Sequence, residues 1–216
     1  MANQVTAKER MLKSIRKALI EKRENPYPEL DPTPLYKDCQ RDNEVMFAEE
    51  LTRVSGQFFY CQDKISLIEG LVDLMEQRGW KHIATDDQSI AALLNEFEFP
   101  FLTGPDALAS TDAGITVCES LVARNGSILV STGYKASRRM MIFPPAHIVI
   151  AHASQLVTDI KDGLIALKAK YQPALPSSVT LITGPSRTAD IEKTLVLGAH
   201  GPKELYVFYL DGEELS

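Results

Sequence analysis

From Asp42 onward, hydrophobic residues alternate between the spacing of helices and the spacing of strands. Helical spacing predicts helices at 45–54, 65–79, 89–97 and 155–171. Short apolar runs predict strands at 57–61, 82–85, 115–118, 127–131, 147–150, 179–182 and 205–210. Strands that alternate with helices are typical of a mainly parallel sheet covered on both faces. The closely spaced runs between 114 and 150 indicate some antiparallel pairing as well.

The N-terminal 25 residues have a different pattern. Apolar residues recur at helical spacing among basic side chains, at Met11, Ile15, Ala18 and Leu19. This stretch holds seven basic and three acidic residues, whereas the rest of the chain holds 16 basic and 26 acidic residues. The pattern predicts an amphipathic basic helix, which either packs on the rest of the protein or binds a membrane surface or an acidic partner.

A proline-rich stretch follows this helix. Residues 26–34 contain four prolines, which exclude a helix and favour an extended strap. We therefore expect an N-terminal arm of helix and strap, residues 1–41, and one α/β domain, residues 42–216.

Composition narrows the class of protein. A chain of 216 residues with 44% apolar residues is the size of one globular domain with an arm. No apolar run is long enough to span a membrane and no signal peptide is visible, so we expect a cytoplasmic protein. The three cysteines are far apart and predict free thiols without a metal site. The net charge of −6 argues against a nucleic-acid partner.

Candidate chemistry begins after the predicted strand at 179–182, which we expect to be buried. Gly184 and Pro185 predict a tight turn, and Ser186 or Thr188 can cap a helix that follows it. Such a turn presents backbone N–H groups and a positive helix end to an anion, and Arg187 adds a forked cation. The alternative is purely structural, with Ser186 and Thr188 acting only as caps.

Three loops are expected to meet at the carboxyl ends of the strands, where α/β proteins usually bind ligands. They are 124–127, 131–139 with Thr132 and Gly133, and 184–190 together with His200. Four basic side chains would make this crevice positive and favour a small anion: Lys135, Arg138, Arg139 and Arg187. The candidates for acid–base catalysis are His200 and Asp190, and we expect no metal site.

Two elements of the chain resemble those of the LUD-domain family, in the branch of lactate-utilisation protein C (LutC/YkgG). They are the stretch TGPSRTADIE at 183–192 and the stretch GAHGP at 198–202. Arg139 and the segment FPPAH at 143–147 match the family as well. One departure concerns 124–127, where this chain has Arg-Asn-Gly-Ser and the family usually has Glu-Ser/Thr-Gly-Thr.

The resemblance implies a three-layer α/β/α fold related to the NagB/RpiA/CoA-transferase group. It also implies a non-redox subunit that works beside iron–sulfur proteins oxidising L-lactate to pyruvate, with the clusters on those partners and no cofactor on this chain. The alternative is a free-standing enzyme of the CoA-transferase or sugar-phosphate isomerase type, acting on a phosphorylated or CoA-linked substrate. Assembly into a homo-oligomer stays open.

Overall fold

A sheet of five parallel strands is the centre of the protein in the computed structural model, which describes residues 6–20, 41–133, 138–188, 196–198 and 200–212. The α-helices are α1 (Ala7–Ile20), α2 (Asn43–Arg53), α3 (Lys64–Arg78), α4 (Gln88–Glu96) and α5 (Ile160–Tyr171). The strands are β1 (Gln57–Cys61), β2 (Ile83–Ala84), β3 (Ala113–Val117), β4 (Ser120–Val122), β5 (Ser127–Ser131), β6 (Ala146–His152), β7 (Leu156–Val157), β8 (Val179–Ile182), β9 (Arg187–Thr188), β10 (Val196–Leu197) and β11 (Glu204–Leu210).

The strand order of the central sheet is β1-β11-β6-β3-β2, and every pair in it is parallel. The predicted mainly parallel α/β fold is therefore confirmed, while its relation to the NagB/RpiA/CoA-transferase group stays a prediction. The last strand of the chain lies second in the sheet. It pairs with β1 on one side and with β6 on the other, so it is buried along almost its whole length.

Helices α3 and α4 cover one face of this sheet. Their leucine and isoleucine side chains form the main core with alternate residues of β3, β6 and β11. Helix α3 begins after Asp63, whose carboxylate accepts a hydrogen bond from the Ser66 N–H at 2.8 Å. It ends at Gly79 in the left-handed conformation (φ +66°), as the sequence predicts.

A second sheet has the order β7-β4-β5-β8 and contains the predicted antiparallel pairing, between β4 and β5 and between β5 and β8. The single helix predicted for 155–171 is wrong in its first five residues. Leu156 and Val157 form β7 instead, because they pair with Leu121 and Val122 of β4. The helix starts only after Asp159, which caps it.

Strand β8 is present as predicted, but the expectation that it is buried is wrong. It is the edge strand of the second sheet, and Val179 and Leu181 are each 40% exposed. An apolar run indicates a strand without indicating how many neighbours that strand has.

The chain after Pro185 also differs from the prediction. Arg187 and Thr188 form β9, which pairs antiparallel with Val196 and Leu197 of β10. Ser186 therefore leads into a strand and caps no helix at this position. Residues 189–195 lie outside the described part of the chain.

The chain divides into two units, Met1–Gln40 and Arg41–Ser216. In the first unit, the predicted amphipathic helix is present as α1, and all of its residues are exposed. The proline-rich strap at 26–34 lies outside the described residues. Within the described chain, no helix is long and apolar enough to cross a membrane.

We expect that deletion of residues 1–34 leaves the second unit folded, because the main core is built from residues after Arg41. The measurement is thermal unfolding by near-UV circular dichroism, with the full chain as the control. A cooperative transition at a similar temperature is the expected result. An insoluble or molten truncated chain would contradict it.

Candidate functional site

A cavity of about 390 Å³ lies under the turn that follows β8. Its walls are mainly apolar, from Met141, Ile142, Leu181, Ile182, Pro185, Pro202 and Leu205. Its polar lining comes from Arg138, His147, Ser178, Thr180, Thr183, Ser186 and His200. Mainly apolar walls with a few polar groups are typical of a small-molecule site, and the volume is within the usual range.

This cavity lies at the amino ends of the parallel strands, so the expectation of a site at their carboxyl ends is wrong for these residues. His147 and Leu205 are the second residues of β6 and β11, and they are paired in register. The segment that contains His200 leads directly into β11. It must therefore lie where that strand begins.

The turn itself is held by backbone hydrogen bonds. The Ser186 N–H donates to the Pro202 carbonyl at 2.9 Å, and the Gly198 N–H donates to the Ser186 carbonyl at 3.0 Å. Gly184 has φ +83°, and a β-carbon there would lie 2.4 Å from the Val54 carbonyl oxygen. Glycine is thus required by conformation and by space. One of the N–H groups expected to bind an anion is already engaged within the protein.

Arg187 extends away from the cavity lining and onto the end of α2. Its guanidinium donates to the Val54 carbonyl at 2.7 Å and to the Ser55 hydroxyl at 2.6 Å. The arrangement matches a side chain that satisfies a carbonyl at a helix C-terminus. The role of Arg187 in ligand binding stays a prediction, as does that of Thr188 in β9.

The other basic candidates also differ in whether they border the cavity. Arg138 and His200 are exposed side chains that border the cavity. Arg139 is exposed beside Arg138 and is not part of the cavity lining. Lys135 and Asp190 lie outside the described residues. Arg138 is therefore the cation that the described structure brings to the cavity.

His147, the last residue of the segment FPPAH, lines the cavity although it is not among the sequence-predicted site residues. It is 1% exposed, and its Nε2 lies 2.8 Å from the Thr116 hydroxyl oxygen on the neighbouring strand β3. Burial lowers the pKa of His147 to about 4, since the charged imidazolium loses its hydration there. The ring is therefore neutral near pH 7. Its position at the start of an apolar strand gave no signal that it borders a cavity.

Thr132 and Gly133 lie elsewhere, next to a buried carboxylate. The Thr132 hydroxyl lies 3.2 Å from that of Ser177, and the Gly133 N–H donates to the Ser131 hydroxyl at 2.9 Å. The Ser131 hydroxyl in turn donates to Glu119. Neither candidate lines the cavity, although Thr132 exchanges hydrogen bonds with the backbone of Ser178, which does.

Glu119 lies just after β3, at the carboxyl edge of the central sheet, and its side chain is 2% exposed. It accepts hydrogen bonds from Lys170 at 3.0 Å and from the Tyr171 hydroxyl at 2.8 Å. A second cavity of about 330 Å³ borders this group. No motif around Glu119 distinguishes this residue in the sequence from a surface carboxylate.

The remaining loop, 124–127, lines neither cavity, although the Ser127 hydroxyl lies 2.7 Å from that of Thr183, which lines the first one. Arg124 forms an ion pair with Asp159, the capping residue of α5, with a shortest distance of 2.5 Å. Gly126 has φ +61°, and a β-carbon there would lie 2.3 Å from the Leu51 backbone nitrogen in α2. The loop in which this chain departs from the family pattern therefore packs against α2 and the start of α5.

The buried His147 predicts how stability depends on pH. Its folded-state pKa of about 4 is below the value of 6.5 for an exposed histidine, so the unfolded chain binds the extra proton first as the pH falls. Acidification from pH 7 to pH 5 therefore removes about 2 kcal/mol of stability through this group. Urea unfolding at both pH values measures the change. His147→Gln should lose about that much less than the wild type, and equal losses would contradict the prediction.

The comparison with known proteins gives the family. The family described as LUD domain matches residues 105–210. The chain is 37% identical over 93 residues to lactate utilization protein C of Halalkalibacterium halodurans, covering 42% of this chain and 40% of that protein. It is 32% identical over 101 residues to lactate utilization protein C of Bacillus licheniformis, covering 45% and 42%. The matches thus span less than half the length of these curated relatives.

A solved structure agrees with the fold. The crystal structure of a DUF162 family protein from Deinococcus radiodurans superposes with a TM-score of 0.62 at 18% sequence identity. The superposition covers 78% of this chain and 96% of that one. The family match, the sequence relatives and the shared fold agree: residues 105–210 form a LUD domain, and the similarity to lactate utilization protein C supports that branch of the family.

Proposed function

We propose that the protein is a non-redox subunit of a system that oxidises L-lactate to pyruvate, and that it binds a small anionic ligand in the cavity under the turn at 182–186. The names of its relatives support a role in lactate utilisation. The observation that carries the ligand is the cavity itself, where Arg138 borders mainly apolar walls. Apolar walls exclude water and strengthen the attraction between a cation and a bound carboxylate.

We assign the redox chemistry to partner proteins that carry iron–sulfur clusters. A cluster is held by cysteine thiolates, which form readily only at exposed or electropositive positions. Burial raises the pKa of Cys61 to about 11 and raises the pKa of Cys118 further. Both thiols therefore stay protonated at neutral pH, which supports a subunit without a cluster of its own. We place the protein in the cytoplasm with these partners.

Ligand binding is tested with two arginine variants. We expect Arg138→Ala to weaken the binding of L-lactate by about 1.5 kcal/mol, roughly ten-fold, because a partly exposed charged hydrogen bond is lost. Arg187→Ala is the matched control. It should lower the unfolding temperature, since Val54 and Ser55 lose a donor, and its affinity distinguishes the cavity beside Arg138 from the anion site that the sequence predicts at Arg187.

Isothermal titration calorimetry measures the affinities and thermal unfolding measures the stabilities. A bound ligand also stabilises the folded chain by RT ln(1 + [L]/Kd), so it raises the unfolding temperature. If Arg187→Ala weakens binding and Arg138→Ala does not, the ligand lies at the turn beside β9. If no small carboxylate or phosphate binds, the anion site is refuted.

The subunit role is tested by reconstitution. The purified chain should not oxidise L-lactate with an artificial electron acceptor, because it supplies no redox centre in this proposal. Activity should appear when cluster-bearing proteins of the same lactate system are added, and Arg138→Ala should reduce it. Lactate oxidation by the isolated chain would contradict the proposal.

One observation favours the alternative of a free-standing enzyme. The buried Glu119 borders a cavity at the carboxyl edge of the sheet, where a general base or a nucleophile is usually found in α/β enzymes. Turnover of a sugar phosphate or an acyl-CoA by the isolated chain, lost in Glu119→Gln, would establish this function in place of the first.

A further inference from the structure

His147 combines deep burial with an incomplete set of hydrogen bonds. Among the described residues, Thr116 is the only hydrogen-bond partner of its side chain. The ring is 1% exposed and borders the cavity under the turn. Buried polar atoms in native proteins are almost always hydrogen-bonded. The second ring nitrogen, Nδ1, has no hydrogen-bond partner among the described residues, and a group in the cavity can supply one.

The chemistry of a neutral imidazole restricts that partner. One ring nitrogen donates and the other accepts, and the Thr116 hydroxyl can take either role toward Nε2. A hydroxyl group can both donate and accept, so it matches Nδ1 in either tautomer. A methylene group at the same place leaves the nitrogen without a partner, which is unfavourable in a buried site.

We propose that His147 recognises the 2-hydroxyl group of a small 2-hydroxycarboxylate whose carboxylate lies at Arg138. This inference rests on the proposed function, since it places the second polar group of the same ligand. The cavity of about 390 Å³ leaves space beyond the methyl group of lactate, and its apolar walls suit a short alkyl chain. The ligand class is therefore short-chain 2-hydroxycarboxylates, with lactate as the smallest chiral member.

Two substitutions separate the nitrogens of the ring. In His147→Gln the side-chain amide reaches the position of Nε2 and can keep the contact with Thr116, but it has no group at the position of Nδ1. In His147→Asn the shorter amide lies near the position of Nδ1. His147→Gln thus removes the polar group that faces the proposed ligand, and His147→Asn retains one.

The experiment measures the affinities of L-lactate and of propionate, which lacks the hydroxyl, by calorimetry on the full-length wild type and both variants. We expect the wild type to prefer L-lactate by about five-fold, the scale of one net hydrogen bond. His147→Gln should bind the two acids equally, and His147→Asn should retain part of the preference. In the wild type, L-lactate but not propionate should shift the Nδ1 resonance in ¹⁵N-histidine spectra.

Equal binding of the two acids by the wild type, with no change at Nδ1, would mean that a water molecule satisfies the ring, and it would overturn the inference. The same holds if His147→Gln keeps the full preference. In either case, loss of affinity in Arg138→Ala would leave the proposed function standing. Failure of both acids to bind the wild type would refute the proposed function instead. The ¹⁵N-histidine spectra are measured on the wild type, so the inference can be tested even if a variant does not fold.

Discussion

The insertion of β11 between β1 and β6 is the constraint on which the rest of the structure depends. Strand β11 has parallel neighbours on both sides, and these neighbours lie early and in the middle of the chain, so the sheet is completed by pairings between residues that are far apart in sequence. The pairing fixes Leu205 beside His147. It therefore also fixes where the segment from Gly198 to Lys203 enters the sheet, and that segment closes the cavity.

The turn at Gly184 depends on the same insertion. The Ser186 N–H bonds to the Pro202 carbonyl, and the Lys203 N–H bonds to the Pro145 carbonyl at 2.7 Å. These bonds tie the end of β8 to the starts of β11 and β6. The proposed ligand would thus lie against main chain that these hydrogen bonds hold in place, with Arg138 on an exposed segment. Main chain held in this way beside a cation suits the recognition of a small anion.

Local patterns could predict the elements, since each depends on nearby residues. Gly79 ends α3 by its conformation, and the run at 204–210 forms a strand wherever it lies. The strand order could not be predicted in this way, because β11 pairs with residues that are far away in sequence. The exposure of β8 and the presence of a strand at Arg187 could not be predicted for the same reason. Both depend on partners that no local window contains, and the location of the cavity depends on them in turn.

The two cavities differ in how far their polar groups are already satisfied. At the carboxyl edge, Glu119 accepts from Lys170, Tyr171 and Ser131, so the protein itself compensates the buried charge. A ligand there would compete with bonds already made. At the amino edge, His147 has one partner among the described residues and a second nitrogen to satisfy. Binding there displaces no hydrogen bond between described residues at His147, and this difference favours the amino-edge cavity as the proposed ligand site.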